Sequence, residues 1–521
     1  MACKKLFSGV LPEITNYIIQ FLRDHLRSLY SCVLVNRHLC WITIPILWED
    51  PFYIMRNSKF LTTYLLFLND EDKARLKGLI FPSSFKKPLF NYPSFIKTLN
   101  QLRMQEHVTE FIENLIDTNP LTTDFAISLF HNEPAKLLVL LSTICELLFK
   151  LFISNDISLN SLYIKICHSQ HALNVMIFNE ICKKPKFLSD IKYFTLDFDR
   201  SKVIPHLPIP SFEDSPSAIT SNKHFTIYFI AYLMSALKYC SNTLTSIKFI
   251  LCNFNDLPSL NGLNYLVHLE SLQFKQCKGI TVQVFRPLLD ISTPLKIKTL
   301  TLDGLSMEIT FIQSLFQKIG SFLENLEIKL VIERKIIYES IINHCNKVQF
   351  LHISEIEHVD IVQLFKLITH VRKHLKYLSL QIQNHRQPCL IESDYDDQQL
   401  RVSSMILTNL GQILPDTLKY LELNLEIDPI NLKIFLDNCK HIVGLNSLLV
   451  INKSQNDIIF DVLKEFVREK KVTNFAYNVS ALFSTHDYYG RQYLDNEIHP
   501  FVKPYSELIK RISNNNDYFE I

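Results

Sequence analysis

At 521 residues the chain exceeds what one hydrophobic core usually supports, so a long modular body with at least one smaller domain is expected. Its 47% apolar and 20% charged residues exclude wholesale disorder, and a net charge of +2 gives no global electrostatic reason to bind nucleic acid or an anionic membrane. The 9 glycines argue against an enzyme built on glycine-rich phosphate loops. The 12 cysteines never pair at the two-residue gap of a zinc or redox motif. They fit small core residues in a reducing compartment, cytoplasmic or nuclear. The first ten residues lack the long apolar run of a secretory signal.

In chain order, Leu11-Pro12-Glu13 opens a short helix, with Pro12 suited to its first position and Glu13 to its positive end. Ile14, Ile18, Phe21 and Leu22 then form an apolar face. A second run carries Leu29, Cys32, Val33 and Val35 and ends in Asn36-Arg37, and Pro45-Ile46-Leu47-Trp48 closes the segment. This order resembles the F-box, a three-helix module of about this length. Leu11, Pro12, Glu13, Ile18, Leu22, Val35, Arg37, Leu47 and Trp48 match its pattern, whereas Leu39 stands where an aromatic residue usually occurs, with Trp41 nearby. The stretches from Ser31 to Arg37, Ile44 to Pro51 and Lys87 to Tyr92 resemble divergent fungal F-box-like families. The resemblance implies docking on a Skp-type adaptor, and through it on a cullin ligase, by Leu11, Pro12, Ile14, Ile18, Leu22, Val35, Arg37 and Trp48. The alternative is a helical cap that closes a stack of repeats.

Residues 53–158 read as a mostly helical linker region after a module at 6–52. Its apolar stretch from Leu137 to Ile153 contains Glu146 and Lys150 and reads as a buried helix rather than a membrane span. A Pro- and Ser-rich loop is expected from Asp199 to His224.

One phrase then recurs: apolar, two variable residues, apolar, one variable, apolar. It starts at Leu244, Leu269, Ile297, Leu323, Val348, Leu375, Leu418, Leu445 and Val472, at spacings of 25, 28, 26, 25, 27, 43, 27 and 27 residues. Weaker phrases start at Leu159 and Ile191. Between phrases the period becomes helical, as at Ile312, Leu315, Phe316 and Ile319 or Ile361, Leu364, Phe365 and Ile368. Strand then helix at this spacing resembles the leucine-rich repeats associated with F-box proteins, and Cys277, Cys345 and Cys439 fall near phrase or helix ends. The expected fold is therefore α/β: a leucine-rich-repeat solenoid over 159–480 behind a small all-α F-box-like module, with a cap or tail over 481–521. The 43-residue spacing is read as an insertion from Asn384 to Ser403, an acidic surface loop carrying Glu392, Asp394, Asp396 and Asp397. The tail carries Tyr488, Tyr489 and Tyr493.

No motif of catalysis, nucleotide binding or metal ligation appears, so a non-enzymatic protein without cofactor or metal is expected. Variable residues of successive phrases should instead line a concave face. Phe350, Tyr377 and Tyr420 occupy one position in three successive units and should form an aromatic column, with His352, Glu422, Glu327 and Lys329 beside it. The rings can anchor a protein target, stack on one another, or do both. The combined expectation is a substrate receptor of an SCF-type ubiquitin ligase, with no nucleic-acid or membrane partner. The alternative is a leucine-rich-repeat interaction scaffold outside ubiquitination.

Overall fold

Each recurring phrase places its second and third apolar residues two apart, so in an extended chain both side chains leave by one face. In the computed structural model they do. It describes residues 12–23, 25–55, 57–76, 88–118, 134–155, 157–167, 171–199, 222–255, 257–329, 333–382, 392–452, 457–470, 472 and 474–479. Two compact units are present, one of residues 1–252 with 256–268 and one of 253–255 with 269–521.

The first unit opens with three helices, α1 (Pro12–Phe21), α2 (Leu26–Val35) and α3 (Arg37–Leu47). The Asn36 side chain accepts the Leu39 N–H at 2.8 Å, so the Val-Asn-Arg turn is an N-cap that starts α3. Leu39 lies buried beneath it. The short helices α4 (Pro51–Ile54), α5 (Phe60–Leu65) and α6 (Asp70–Arg75) come next. Strands β1 (Thr98–Asn100), β2 (Ser161–Cys167), β3 (Tyr193–Asp199) and β4 (Ser246–Ile250) then pair in order, all parallel. Between them run α7 (Gln101–Thr118), α8 (Pro134–Ser154), α9 (His171–Lys183) and α10 (Asn222–Ala236). Leu99, Leu162, Phe194 and Ile247 face one another across the ladder and are all buried.

Strand β1 corrects the expected repeat start at residue 159. Its phrase is Ile96–Leu99–Gln101, with a glutamine at the third apolar position. Gln101 is fully buried there, and its Oε1 accepts the Lys165 N–H at 3.1 Å. The side-chain amide thus continues a ladder that the backbone has left for α7, and apolar periodicity alone does not register it.

Helix α8 is the one helix among the described residues long and apolar enough to cross a membrane. Ile144, Cys145, Leu148, Phe149 and Phe152 along it are fully buried. Two of its charged residues are paired: Arg75 holds Glu146 at 2.8 Å and Lys150 holds Asp72 at 3.0 Å.

The second unit continues the scheme with β5 (Ser271–Ile280), α11 (Val282–Leu289), β6 (Thr299–Met307), α12 (Ile309–Ile319), β7 (Asn325–Lys329) and α13 (Arg334–His344). Next come β8 (Phe350–Ile356), α14 (Ile361–Val371), β9 (Tyr377–Ile382), α15 (Glu392–Ile413), β10 (Tyr420–Leu425), α16 (Pro429–Asn438), β11 (Ser447–Asn452), α17 (Asp457–Lys470) and β12 (Asn474–Val479). All eight strands pair in sequence order and in parallel. Leu272, Leu300, Leu326, Leu351, Leu378, Leu421, Leu448 and Phe475 form one continuous buried row. A single repeat cannot bury both its strand and its helix, so this row makes the units mutually dependent. Burial of each such side chain contributes about 1.5–3 kcal/mol.

Within the 43-residue spacing a helix covers 392–403, part of the span expected as an acidic surface loop over 384–403. Helix α15 begins at Glu392, and Val402, Ile406, Leu407 and Leu410 along it are buried. Residues 383–391 and the tail tyrosines lie outside the described residues, as does most of the Asp199–His224 stretch. Cys277, Cys345 and Cys439 are buried, and burial pushes the Cys345 thiol up to about 12, which suits a packing role.

Candidate functional site

Two surfaces bear on function, one in each unit. On α1, Thr15 and Ile19 are the buried residues, while Ile18, and Leu22 just past the helix end, are half-buried. At roughly 100° per residue, Ile14, Tyr17 and Phe21 fall on a different face. They are 47%, 64% and 67% exposed, and the last two rings meet edge-on at 4.8 Å. Leu34, at 86% exposure, and Val35 are likewise left in water at the end of α2. Trp41 on α3 is also exposed and leans on Phe90 with ring centroids 4.7 Å apart.

Among the residues expected to touch an adaptor, Pro12, Ile14, Val35 and Arg37 are therefore exposed, and Leu11 lies outside the described residues. Trp48 is a correction. It is buried, with Tyr92, Tyr64 and Phe60 at 4.2, 5.3 and 6.3 Å, and it fastens α3 to α5 and to the Tyr92 turn. Sequence reasoning missed Tyr17 and Leu34. The available signal was that Ile14, Tyr17, Ile18, Ile19, Phe21 and Leu22 span too wide an arc for one core-facing stripe.

Beside Trp48 lies a buried carboxyl. Burial raises the Asp50 pKa from 3.8 to about 6, against the opposing pull of Arg103 and a hydrogen bond from the Tyr53 N–H. The native state then holds this proton more tightly than the unfolded chain does. The resulting stabilisation is fully present below about 3.8 and is lost as pH rises through about 6. The loss is at most about 3 kcal/mol, at 1.36 kcal/mol per unit. Asp50→Asn is accordingly expected to raise the thermal midpoint at pH 7 and leave it little changed at pH 4. Equal midpoints of variant and parent at pH 7 would exclude this account. Glu49, raised by burial against Arg23 and Lys97, keeps a residual slope of the same sign in the variant.

In the second unit Phe350, Tyr377 and Tyr420 lie in direct register on β8, β9 and β10. Their rings are 6.4 Å apart in both steps, with planes inclined at 37° and 40°. The rings therefore contact one another and also present themselves outward, Tyr377 being 39% exposed. Two residues on, Glu327, His352, Ser379 and Glu422 form the adjoining row on the same face. His352 Nδ1 is 2.7 Å from Ser379 Oγ, the Tyr420 hydroxyl donates to Glu422 Oε2 at 3.1 Å, and Thr301 donates to Glu327 Oε2 at 3.1 Å. The next row sets Lys275, Asp303 and Lys329 side by side on β5, β6 and β7. Burial raises the Asp303 pKa, and Lys329 opposes the shift most strongly.

Among the described residues no three His, Cys, Asp or Glu side chains gather to hold a metal ion. No family model matches the chain, and no curated protein matches it in sequence.

Proposed function

We propose that this chain is a substrate receptor of an SCF-type ubiquitin ligase, a leucine-rich-repeat body carried behind an F-box-like module. The observation that carries the reading is the apolar surface left exposed on α1 and the end of α2. A helical cap gains nothing from keeping Ile14, Tyr17, Phe21, Leu34 and Val35 in water, whereas a partner groove would bury them. On this reading those side chains engage a Skp-type adaptor, as does the exposed Arg37. The repeat strands hold the target, and the protein contributes proximity rather than chemistry. The buried thiols of Cys145, Cys240, Cys252, Cys277, Cys345 and Cys439 suit a reducing cytoplasm or nucleus.

Co-expression with a Skp-type adaptor and affinity capture test the proposal. The parent chain is expected to retain the adaptor. Ile14→Glu with Leu34→Glu should weaken capture about 100-fold, because two exposed anchors worth about 1.5 kcal/mol or more each are replaced by charge. Both positions face solvent, so the melting temperature should stay within about 1 °C of the parent's. A parent chain that captures no adaptor would overturn the reading.

A further inference from the structure

The ring column and its neighbouring row have a charge pattern that selects a class of ligand. Asp303 has Lys275 and Lys329 in register on either side, so its charge is answered within the sheet. Glu327 and Glu422 differ. The register neighbours of Glu327 are Thr301 and His352 and those of Glu422 are Ser379 and Leu449, with no lysine or arginine among them, and each carboxylate accepts a hydroxyl hydrogen bond instead. They stand at the two ends of the row Glu327, His352, Ser379 and Glu422, with the three rings alongside.

We infer that this sheet face binds an extended peptide segment through two cationic side chains, arginine in preference to lysine, set four residues apart. The inference rests on the receptor reading above and names the target chemistry. A guanidinium lying over Tyr377 or Tyr420 gains from the negative face of the ring, and an adjacent carboxylate pairs with it. Arginine gains more than lysine because its planar head both stacks and forks to a carboxylate. The spacing comes from the strands. Glu327 on β7 and Glu422 on β10 are three strand steps apart, about 14 Å at ~4.8 Å per step. An extended peptide covers that distance in about four residues, and positions i and i+4 share one side of it.

The test uses the full chain and fluorescein-labelled Arg-Ala-Ala-Ala-Arg, read by fluorescence anisotropy at low ionic strength. The arginine peptide is expected to bind at least tenfold more tightly than its citrulline counterpart, which keeps the shape without the charge. The glutamate counterpart should not bind. Glu327→Gln with Glu422→Gln should weaken the arginine peptide at least tenfold, and so should Tyr377→Ala, while Tyr377→Phe should retain binding. Equal affinity for the citrulline peptide, preference for the glutamate peptide, no binding of the arginine peptide, or unchanged affinity in the Gln variants would each overturn the inference. The measurement involves no adaptor, so the two readings fail separately. Adaptor capture without peptide binding sinks this inference alone. Peptide binding without adaptor capture sinks the ligase reading and leaves the basic-peptide site standing.

Discussion

Arg334→Met is expected to destabilise the second unit by about 3–5 kcal/mol, the cost of stranding a buried carboxylate without its cation. Arg334 begins α13, is only 4% exposed, and reaches Asp360 at 2.5 Å and Glu357 at 3.3 Å. Those two acids stand before α14, so the pair joins one repeat to the next. Asp360 also accepts the Glu357 N–H at 3.0 Å in a reciprocal capping box, which fixes the strand-to-helix turn. Two effects are therefore separable. Adding Asp360→Asn to Arg334→Met removes the stranded charge while an amide oxygen still caps the turn, and should restore more than half of the loss. Urea unfolding of the parent, the single variant and the double variant measures this. A double variant no more stable than Arg334→Met would assign the cost to lost packing instead of charge.

Gly262→Ala should be of comparable size in the first unit and arises from steric exclusion. A Cβ at Gly262 would lie 1.7 Å from the Met234 carbonyl oxygen and 2.9 Å from the Ser235 Cα. The obstacle is the backbone of α10, which cannot swing aside as a flexible side chain would. The 3-10 turn Asn261–Tyr265 must retreat from that helix, exposing Leu263 and Leu260 behind it. The expected loss is about 3 kcal/mol, at the upper end of the overpacking range. It should appear as a lowered thermal midpoint with an unchanged secondary-structure signal at 10 °C. A midpoint within about 1 °C of the parent's would show that the turn retreats freely.

Local reading of the chain succeeds for some elements and stops at others. The strand phrases were legible because burial on one face of a parallel ladder imposes an apolar rule at fixed spacing, and every phrase start from Leu244 to Leu445 is buried. The aromatic column was legible for the same reason: equal positions in successive phrases must become neighbours across the strands. Strand β1 was not, since Gln101 replaces an apolar residue by a side chain that hydrogen-bonds the ladder. Helix α15 was misjudged because its acidic opening turn looks like a loop until the buried Val402, Ile406 and Leu410 are set behind it.

The candidate surfaces divide in the same way. By itself the sequence determined the strand-helix repeat and the register of Phe350, Tyr377 and Tyr420, both consequences of periodicity within a few residues, while the three N-terminal helices were expected from the resemblance to the F-box. Only the tertiary structure decided which side of α1 faces water and that Trp48 is enclosed by Tyr64 and Tyr92. Those outcomes depend on residues tens of positions apart. A helix with apolar residues around most of its circumference has no local preference for which of them to bury, and the neighbours packed against it make that choice.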